Sequence, residues 1–419
     1  MSPDVATLGR VLGMADGVPG TAMGIRVPRR RRVVHVINSL ATGGAETMLA
    51  RIVEAADTGS FEHVVLPLLP GGGVEQRVRD TGALVGPLGV YGARNLLTAP
   101  YRLAARLRQL RPDVVQGWLL QGNLAATVGA GLARVRAPVL WNVRWTLYDV
   151  ESEPRRTRAL LRLSGLLARF PERIVYNSRL AVAQHAAIGF PPRRARVIPN
   201  GFDLERLHPD PAARTAIRLE LGIPPGAKVI GMLARYHPMK DHATSFRAAA
   251  SLVERGVDAV FIYAGRGVDD TNAEVLDLVE RLGLSSRVRL LGDRQDVARL
   301  YASFDLYWMS SLARGIAEGF PNVIAEAMAC GVPCVSTDSG DAAWIIGRTG
   351  RVVASGDPQA LGDAAAELLL SDPAEIRRMS REARARIDAE FSLESVVAAY
   401  EALYAEVFDG PEIAATENS

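Results

Sequence analysis

Arg235 and Lys240 stand five positions apart in the segment GMLARYHPMKD, directly after the apolar run Val229–Leu233. Of 49 basic residues only Lys228 and Lys240 are lysines, so a lysine in this loop is a distinctive choice. A guanidinium grips two oxygens at once and an ammonium supplies a compact charge; together they suit a diphosphate. Two solvated loop cations are the plainer alternative. Downstream, Glu318 and Glu326 stand eight positions apart in EGFPNVIAE. On a helix that spacing rises about 12 Å, beyond the roughly 5–9.5 Å that separates the acid and base of a glycosidase. Two such carboxylates fit opposite ends of a polyhydroxyl ligand, and the helix start between them offers free N–H groups to a phosphate. A surface glutamate plus a capping glutamate is the plainer alternative here. In the N-terminal half the segment NSLATGGAE ends in Gly43, Gly44, Ala45 and Glu46. Paired glycines let a backbone approach a ligand closely. The segment is not GxGxxG, so it carries no dinucleotide fingerprint.

These residues need elements that bring them together, and the pattern supplies candidates. The run VVHVI at Val33–Ile37 reads as a strand and is followed by a helix from about Gly44. Strands near His63–Leu69, Asp113–Gln116, Val139–Val143, Arg173–Asn177 and Arg196–Ile198 alternate with helices near 74–81, 100–110, 124–133, 155–169 and 179–188. The cluster Pro199-Asn200-Gly201-Phe202-Asp203 then breaks the pattern, with four prolines soon after. Alternation restarts with strands 229–233, 259–264, 288–291, 306–308 and 334–337 between helices 242–254, 272–282, 297–303 and 322–330. Helices 358–370, 373–390 and 393–408 end the chain. Strand–helix alternation implies right-handed crossovers and a doubly wound parallel sheet. Two such units give an α/β protein with two Rossmann-like domains facing across a cleft, where the carboxyl ends of the strands hold ligands. The expected organisation is a loose tail at 1–28, a first domain at 29–203, a second at 204–391, a crossing helix at 392–410 and a tail at 411–419.

Composition narrows the function classes. The 419 residues are 48% hydrophobic and 23% charged, which excludes a disordered chain. No apolar run is long enough for a membrane span, and the N-terminus lacks the apolar core of a secretory signal. Cys330 and Cys334 lie in one apolar segment and read as buried thiols of a reducing compartment. Residues 1–205 hold 27 Arg against 15 acidic residues; residues 206–419 hold 22 basic against 31 acidic. The basic half suits an anionic partner, though solvated faces would give the same count. In RRTRALLRLSGLLARF, Arg155, Arg158, Arg162 and Arg169 share one helical face, and Leu160, Leu163, Leu167 and Phe170 share another. That helix either lies on anionic lipid or packs on the sheet. Nothing in the pattern calls for nucleic acid.

Taken in this order, Gly43-Gly44-Ala45-Glu46, Ile198-Pro199-Asn200-Gly201, Arg235 with Lys240, Ala264-Gly265-Arg266-Gly267, Leu291-Gly292 and the E-x7-E element Glu318–Glu326 resemble the retaining glycosyltransferases of family 4, with the GT-B fold. The likeness spans residues 33–408. It implies that Arg235 and Lys240 bind the diphosphate of a nucleotide-sugar donor, with Glu318 at the sugar and Glu326 at the ribose. Phe320, Pro321, Asn322 and Val323 would lie beside the donor, Gly43 and Gly44 would approach the diphosphate, and Gly265, Arg266 and Arg294 would line the nucleoside pocket. Relatives place a histidine after the fifth strand. This chain has Leu140-Trp141-Asn142-Val143-Arg144-Trp145 there, so Arg144 becomes the candidate contact to donor sugar or acceptor. Trp118 and the W-x-x-R run Trp141–Arg144 resemble a branch serving surface polysaccharide or lipopolysaccharide assembly. Either tryptophan could equally be a core aromatic.

The resemblance therefore implies transfer of a hexose-like sugar to a glycan or lipid-linked acceptor, with the anomeric configuration retained. It implies no metal or other cofactor, because cationic side chains cover the phosphates, and a cytoplasmic site of action; a peripheral place at the inner face of the plasma membrane follows only if the 155–170 helix lies on anionic lipid rather than on the sheet. A nucleotide-sugar epimerase on the same fold and a non-catalytic nucleotide-sugar-binding protein are the alternatives.

Overall fold

The computed structural model describes residues 29–90, 92–147, 150, 154–313 and 318–409, with the side chains of 92–97 left aside. Both expected tails, 1–28 and 411–419, fall outside these residues. The first lobe runs β1 (Arg31–Ile37), α1 (Gly44–Ala55), β2 (Phe61–Pro67), α2 (Glu75–Asp80), β3 (Leu84–Val85), α3 (Gly92–Leu110) and β4 (Val114–Trp118). It continues with α4 (Leu119–Ala133), β5 (Val139–Val143), α5 (Arg155–Leu167), β6 (Arg173–Tyr176), α6 (Arg179–Ala186) and β7 (Ala195–Val197). The second lobe runs α7 (Pro211–Glu220), β8 (Lys228–Leu233), α8 (His242–Glu254), β9 (Ala259–Ala264), α9 (Ala273–Arg281), β10 (Val288–Leu290) and α10 (Val297–Ser303). After these come β11 (Leu306–Met309), α11 (Asn322–Ala329), β12 (Cys334–Thr337), α12 (Ala342–Ile346), β13 (Gly350–Val353), α13 (Pro358–Leu370), α14 (Pro373–Phe391) and α15 (Leu393–Asp409).

Among the described residues the strands form two parallel sheets. Their orders are β3-β2-β1-β4-β5-β6-β7 and β10-β9-β8-β11-β12-β13. Each sheet reverses direction beside its first strand, so each has a switch point at the carboxyl ends of β1/β4 and β8/β11, the usual ligand position in such sheets. Both faces of each sheet are covered, and the central strands β1, β4, β8, β9 and β11 are correspondingly almost entirely buried. Alternate residues of β1 serve opposite faces: Val33 and Ile37 pack toward α1 and α15, Val34 and Val36 toward α3 and α4.

Two elements start earlier than the periodicity suggests. α4 begins at Leu119, one residue after β4, through a left-handed backbone at Leu119 (φ 61°). A side chain at Gly117 would strike the Asn123 backbone, and one at Gly122 would strike the Val36 carbonyl. The helix start is pressed onto the sheet, a contact that no helical period reveals. α3 begins at Gly92 and contains Pro100 in its interior. β3, α12 and β13 went unread because elements of two to five residues carry too little pattern. α7 hides behind its own proline, which occupies the first helical turn, where no N–H partner is needed.

α5 corrects the expected apolar face. Leu161, Ser164 and Ala168 are the buried residues, whereas Leu163, Leu166 and Phe170 are exposed at 44%, 68% and 56%. The sheet therefore takes Leu161, Ser164 and Ala168 with Leu167 partly buried beside them, and Leu163, Leu166 and Phe170 face outward beside exposed Arg162 and Arg169. Cys330 and Cys334 are buried free thiols; burial pushes the Cys330 thiol up to about 12.

The chain crosses between lobes twice, and the crossings pair. The Phe202 amide donates to the Phe391 carbonyl and the Leu393 amide to the Phe202 carbonyl, both at 2.9 Å. α14 packs on α11 of the second lobe, and α15 packs on α1 of the first. Tyr400 and Tyr404 of α15 are fully buried there.

Candidate functional site

The first-lobe wall of the cleft is built from the carboxyl ends of β1, β5 and β6. Gly43 caps α1 in extended conformation, and Gly44, with open space where a side chain would stand, begins the helix. Arg144, Trp145 and Thr146 follow β5, and Asn177 follows β6. Across from them stand Gly319, Phe320 and Asn322 of the second lobe, and the two walls enclose a cavity of about 430 Å³. Arg144 Nη1 donates to the Tyr400 hydroxyl at 3.2 Å and to Asn142 Oδ1 at 3.5 Å; Nη2 donates to Asn200 Oδ1. Asn200 passes the connection on, its Nδ2 donating to Asn322 Oδ1 at 2.6 Å.

In the second lobe β8 runs into a loop anchored at its far end. Asp241 caps α8 with a left-handed backbone (φ 45°), its carboxylate accepting from the Thr244 amide and hydroxyl. The Ser310 hydroxyl fastens the Lys240 and Asp241 carbonyls at 2.9 Å. Lys240 is thereby held over Glu318, and the two form an ion pair in which the side chains are only 14% and 11% exposed. The Ser311 hydroxyl donates to the same Glu318 oxygen at 2.8 Å. Arg235 is exposed and borders a second cavity of about 410 Å³ with Gly265, Arg266, Asp293 and Arg294. A side chain at Gly265 would collide with the Ala234 carbonyl, and its backbone (φ 145°) suits glycine.

The expected residues thus separate into three groups. Gly44, Arg144, Phe320 and Asn322 line the interlobe cavity, and Gly43, which caps α1, is not among its lining residues. Arg235, Gly265, Arg266 and Arg294 line the other cavity. Lys240 and Glu318, which the resemblance assigns to the diphosphate and the sugar of a donor, hold each other. Arg294 is engaged by Asp296 at 2.7 Å and Glu220 at 2.9 Å. Pro321 is the buried cap of α11, and Val323 packs against the core beneath it. Glu326 borders neither cavity as drawn by its lining residues. It accepts from the Tyr301 hydroxyl at 3.0 Å, and burial raises its pKa against the pull of that bond, Arg51 and Arg206. Among the described residues no cluster of three or more His, Cys, Asp or Glu is placed to hold a metal ion.

Two family models match the chain: Glycosyltransferase Family 4 over residues 42–206 and Glycosyl transferases group 1 over residues 227–371. The chain belongs to these glycosyltransferases. The enzyme is 27% identical to EpsF of Bacillus subtilis (strain 168) over 74% of its own length and 80% of that protein. It is 30% identical to the lipopolysaccharide core biosynthesis mannosyltransferase LpsB of Rhizobium meliloti (strain 1021) over 50% of its own length, but spans only 60% of that protein. A crystal structure of Anabaena Alr3699/HepE in complex with UDP superposes with a TM-score of 0.76 at 23% identity, covering 89% of this chain and 99% of that one. The glycosyltransferase therefore has the GT-B fold: two Rossmann-like sheets with the cleft between them.

Several contacts that shape the enzyme's cleft escaped sequence reasoning. Asp341, at the start of α12, accepts from the Arg179 and Leu180 amides of α6 at 2.6 and 3.1 Å, reaching across to the other lobe. Its own amide donates to the Gly319 carbonyl at 2.9 Å. Arg179 stacks over Trp344 at 4.1 Å. The only sequence signal was a Ser-Gly-Asp turn before an apolar pentapeptide, which names no partner.

Proposed function

We propose that this glycosyltransferase moves a hexose-like sugar, with retention of configuration, from a nucleotide-sugar donor to a glycan or lipid-linked acceptor in cell-surface polysaccharide or lipopolysaccharide assembly. The observation that carries the reading is the Lys240–Glu318 pair: Lys240 ends the loop whose Arg235 lines a nucleoside-sized cavity in the second lobe, and Glu318 directly precedes Gly319 of the cavity shared by both lobes. In this reading the nucleoside lies along Gly265 and Arg266, the diphosphate meets Arg235 and Lys240, and the sugar projects into the shared cavity. The UDP found in the HepE complex supports a uridine nucleotide as one candidate.

The chemistry follows from charge. Cleaving a glycosyl–phosphate bond leaves negative charge on the diphosphate and positive charge on the sugar. Arg235 and Lys240 stabilise the first, and pre-organised cations of this kind contribute several kcal/mol. An incoming diphosphate competes with Glu318 for Lys240, which frees the Glu318 carboxylate for donor hydroxyls. The acceptor hydroxyl attacks from the face the phosphate leaves, the departing phosphate oxygen takes its proton, and the anomeric configuration is kept. Cationic side chains do the work a metal would do, so the reading needs no cofactor. The reaction is assigned to the cytoplasmic face of the membrane, where activated sugars are made.

Arginine-rich helices support a membrane-side acceptor. α3, α4 and α5 pack on the sheet face away from α1 and α15; α3 and α5 hold four arginines each, α4 between them holds none, and none of the three has an acidic residue. The test of the whole reading is release of nucleoside diphosphate from UDP-, GDP- and ADP-sugars with and without acceptor. Acceptor-dependent release supports transfer; release of an isomerised sugar, or tight donor binding with no turnover, would replace it with the epimerase or binding-protein reading.

A further inference from the structure

We propose that the substrate sugar in the interlobe cavity carries an anionic group, a carboxylate or a phosphate, and that Arg144 meets its charge. The inference rests on the nucleotide-sugar reading above and narrows it to a substrate class.

Arg144 leaves the carboxyl end of β5 and forms part of the cavity wall. Its hydrogen-bond partners are Tyr400, Asn142 and Asn200, all neutral. The guanidinium also lies over the Trp118 ring at 5.7 Å. Among the described residues no carboxylate pairs with it, whereas Arg173, Arg214, Arg218 and Arg294 each have one; Arg51 and Arg384 also lack one, but they give their N–H groups to backbone carbonyls and neither lines the cavity. Burial lowers its pKa, so the cation is held where water serves it poorly. A desolvated guanidinium without a counter-ion is costly, and the cost is recovered when a ligand brings the negative charge.

The rest of the cavity agrees with an arriving anion. Among the described residues its one acidic lining residue is Glu46. The Glu46 carboxylate folds back against Gly43, at the start of its own helix, where it serves the α1 dipole. The three neutral contacts fix the guanidinium plane but leave Nε outside every one of them. A planar, pre-oriented fork is suited to two oxygens of one carboxylate or phosphate.

A purely structural role would make Arg144 a pin between α15, the Asn200 turn and β5. That role affects all substrates alike; an anion site does not. The experiment uses the full chain and first finds which of UDP, GDP and ADP it binds. With that nucleotide, the donor arm compares turnover of the glucuronate and galacturonate forms with the glucose and galactose forms. The acceptor arm compares glucuronate and glucose 6-phosphate with glucose, using the neutral donor. The expected result is at least a tenfold preference for the charged member in one arm, which also identifies whether donor or acceptor bears the charge. Arg144→Gln should abolish that preference while leaving affinity for the free nucleotide unchanged, and Arg144→Lys should keep part of it. Preference below twofold in both arms overturns the proposal from the wild-type protein alone, so it stays testable if a variant misfolds. Equal slowing of charged and neutral substrates by Arg144→Gln also overturns it. Nucleotide binding without charge preference sinks this proposal only; no nucleotide binding removes the reading beneath it as well.

Discussion

Lys240 and Glu318 show how far residue types can take an argument. The sequence marks both as candidates, since one is a rare lysine and the other opens an E-x7-E element. Their ion pair could not be read, because 78 residues separate them and only the packing of β8 beside β11 brings their loops together. Lys240→Ala removes the ammonium that a diphosphate would meet and should lower kcat/KM at least tenfold, about 1.4 kcal/mol of transition-state stabilisation. The fold should persist, since Glu318 keeps its Ser311 hydroxyl donor; steady-state kinetics with circular dichroism checks both halves. Glu326 makes a separate case. Burial raises its pKa and Tyr301 holds one oxygen. Glu326→Gln keeps a hydrogen-bond acceptor for Tyr301, so a tenfold loss of turnover with an unchanged melting temperature would mark a donor contact. Unchanged turnover would reduce Glu326 to a packing residue.

At the scale of elements, a capping side chain helped without sufficing: capped α8 and α13 were legible, uncapped α10 was too, and capped α7 was not. α8, α10 and α13 have the bounds their patterns predict. Short elements were illegible, and one of them, α12, carries a contact across the cleft. Asp341→Ala removes a carboxylate that accepts from two amides at the start of α6. Losing such a cap costs about 1 kcal/mol, and here it would loosen one lobe from the other. Small-angle scattering should show a larger radius of gyration for the variant without ligand, and KM should rise more than kcat falls. A second element-level prediction concerns α15. The Trp118 indole N–H donates to His35 Nδ1 at 3.1 Å, so His35 carries its proton on Nε2 and donates to His63 Nδ1 at 2.8 Å. Both rings are thus neutral, packed with Phe61, Trp118 and Tyr404, the last of which donates to Gln116. Burial pushes His63 down from 6.5 to about 4, and burial with His63 beside it holds His35 well below its ordinary value. The unfolded chain then binds more protons than the folded one between those values, so stability should fall as pH drops from about 6.5 to about 4. His63→Leu should flatten that fall in urea titrations across the range; an unaltered slope would assign the acid sensitivity elsewhere.

For the whole molecule, the asymmetry of charge acquires a location. The basic first half is not spread evenly: α3, α4 and α5 stand side by side on one face, with Tyr101, Val128, Leu132, Leu163, Leu166 and Phe170 exposed among them. No described helix is long and apolar enough to cross a membrane. An outward apolar strip with arginines beside it is the arrangement by which a helix lies on anionic lipid, at about 1 kcal/mol per basic residue near the surface. Vesicles containing phosphatidylglycerol should carry the protein in flotation at low salt, and 0.5 M NaCl should release part of it through screening. Replacing Leu166 by Glu should abolish flotation without changing the melting temperature, because that side chain is 68% exposed. Retained flotation would place the lipid contact on another face.

The sequence by itself determined the alternation of strands and helices, the two-sheet architecture and the order of the cleft loops. These follow from local periods and turn residues, which act over a few positions. It also marked Arg144 as an arginine where a histidine was expected. What only the tertiary structure decided is which charges find partners. Lys240 is given to Glu318, Arg294 to Glu220, and Asp341 to the far lobe, while Arg144 has only neutral hydrogen-bond partners. Coulomb attraction between side chains depends on distances set by sheet order and lobe packing, and those couple residues far apart in the chain.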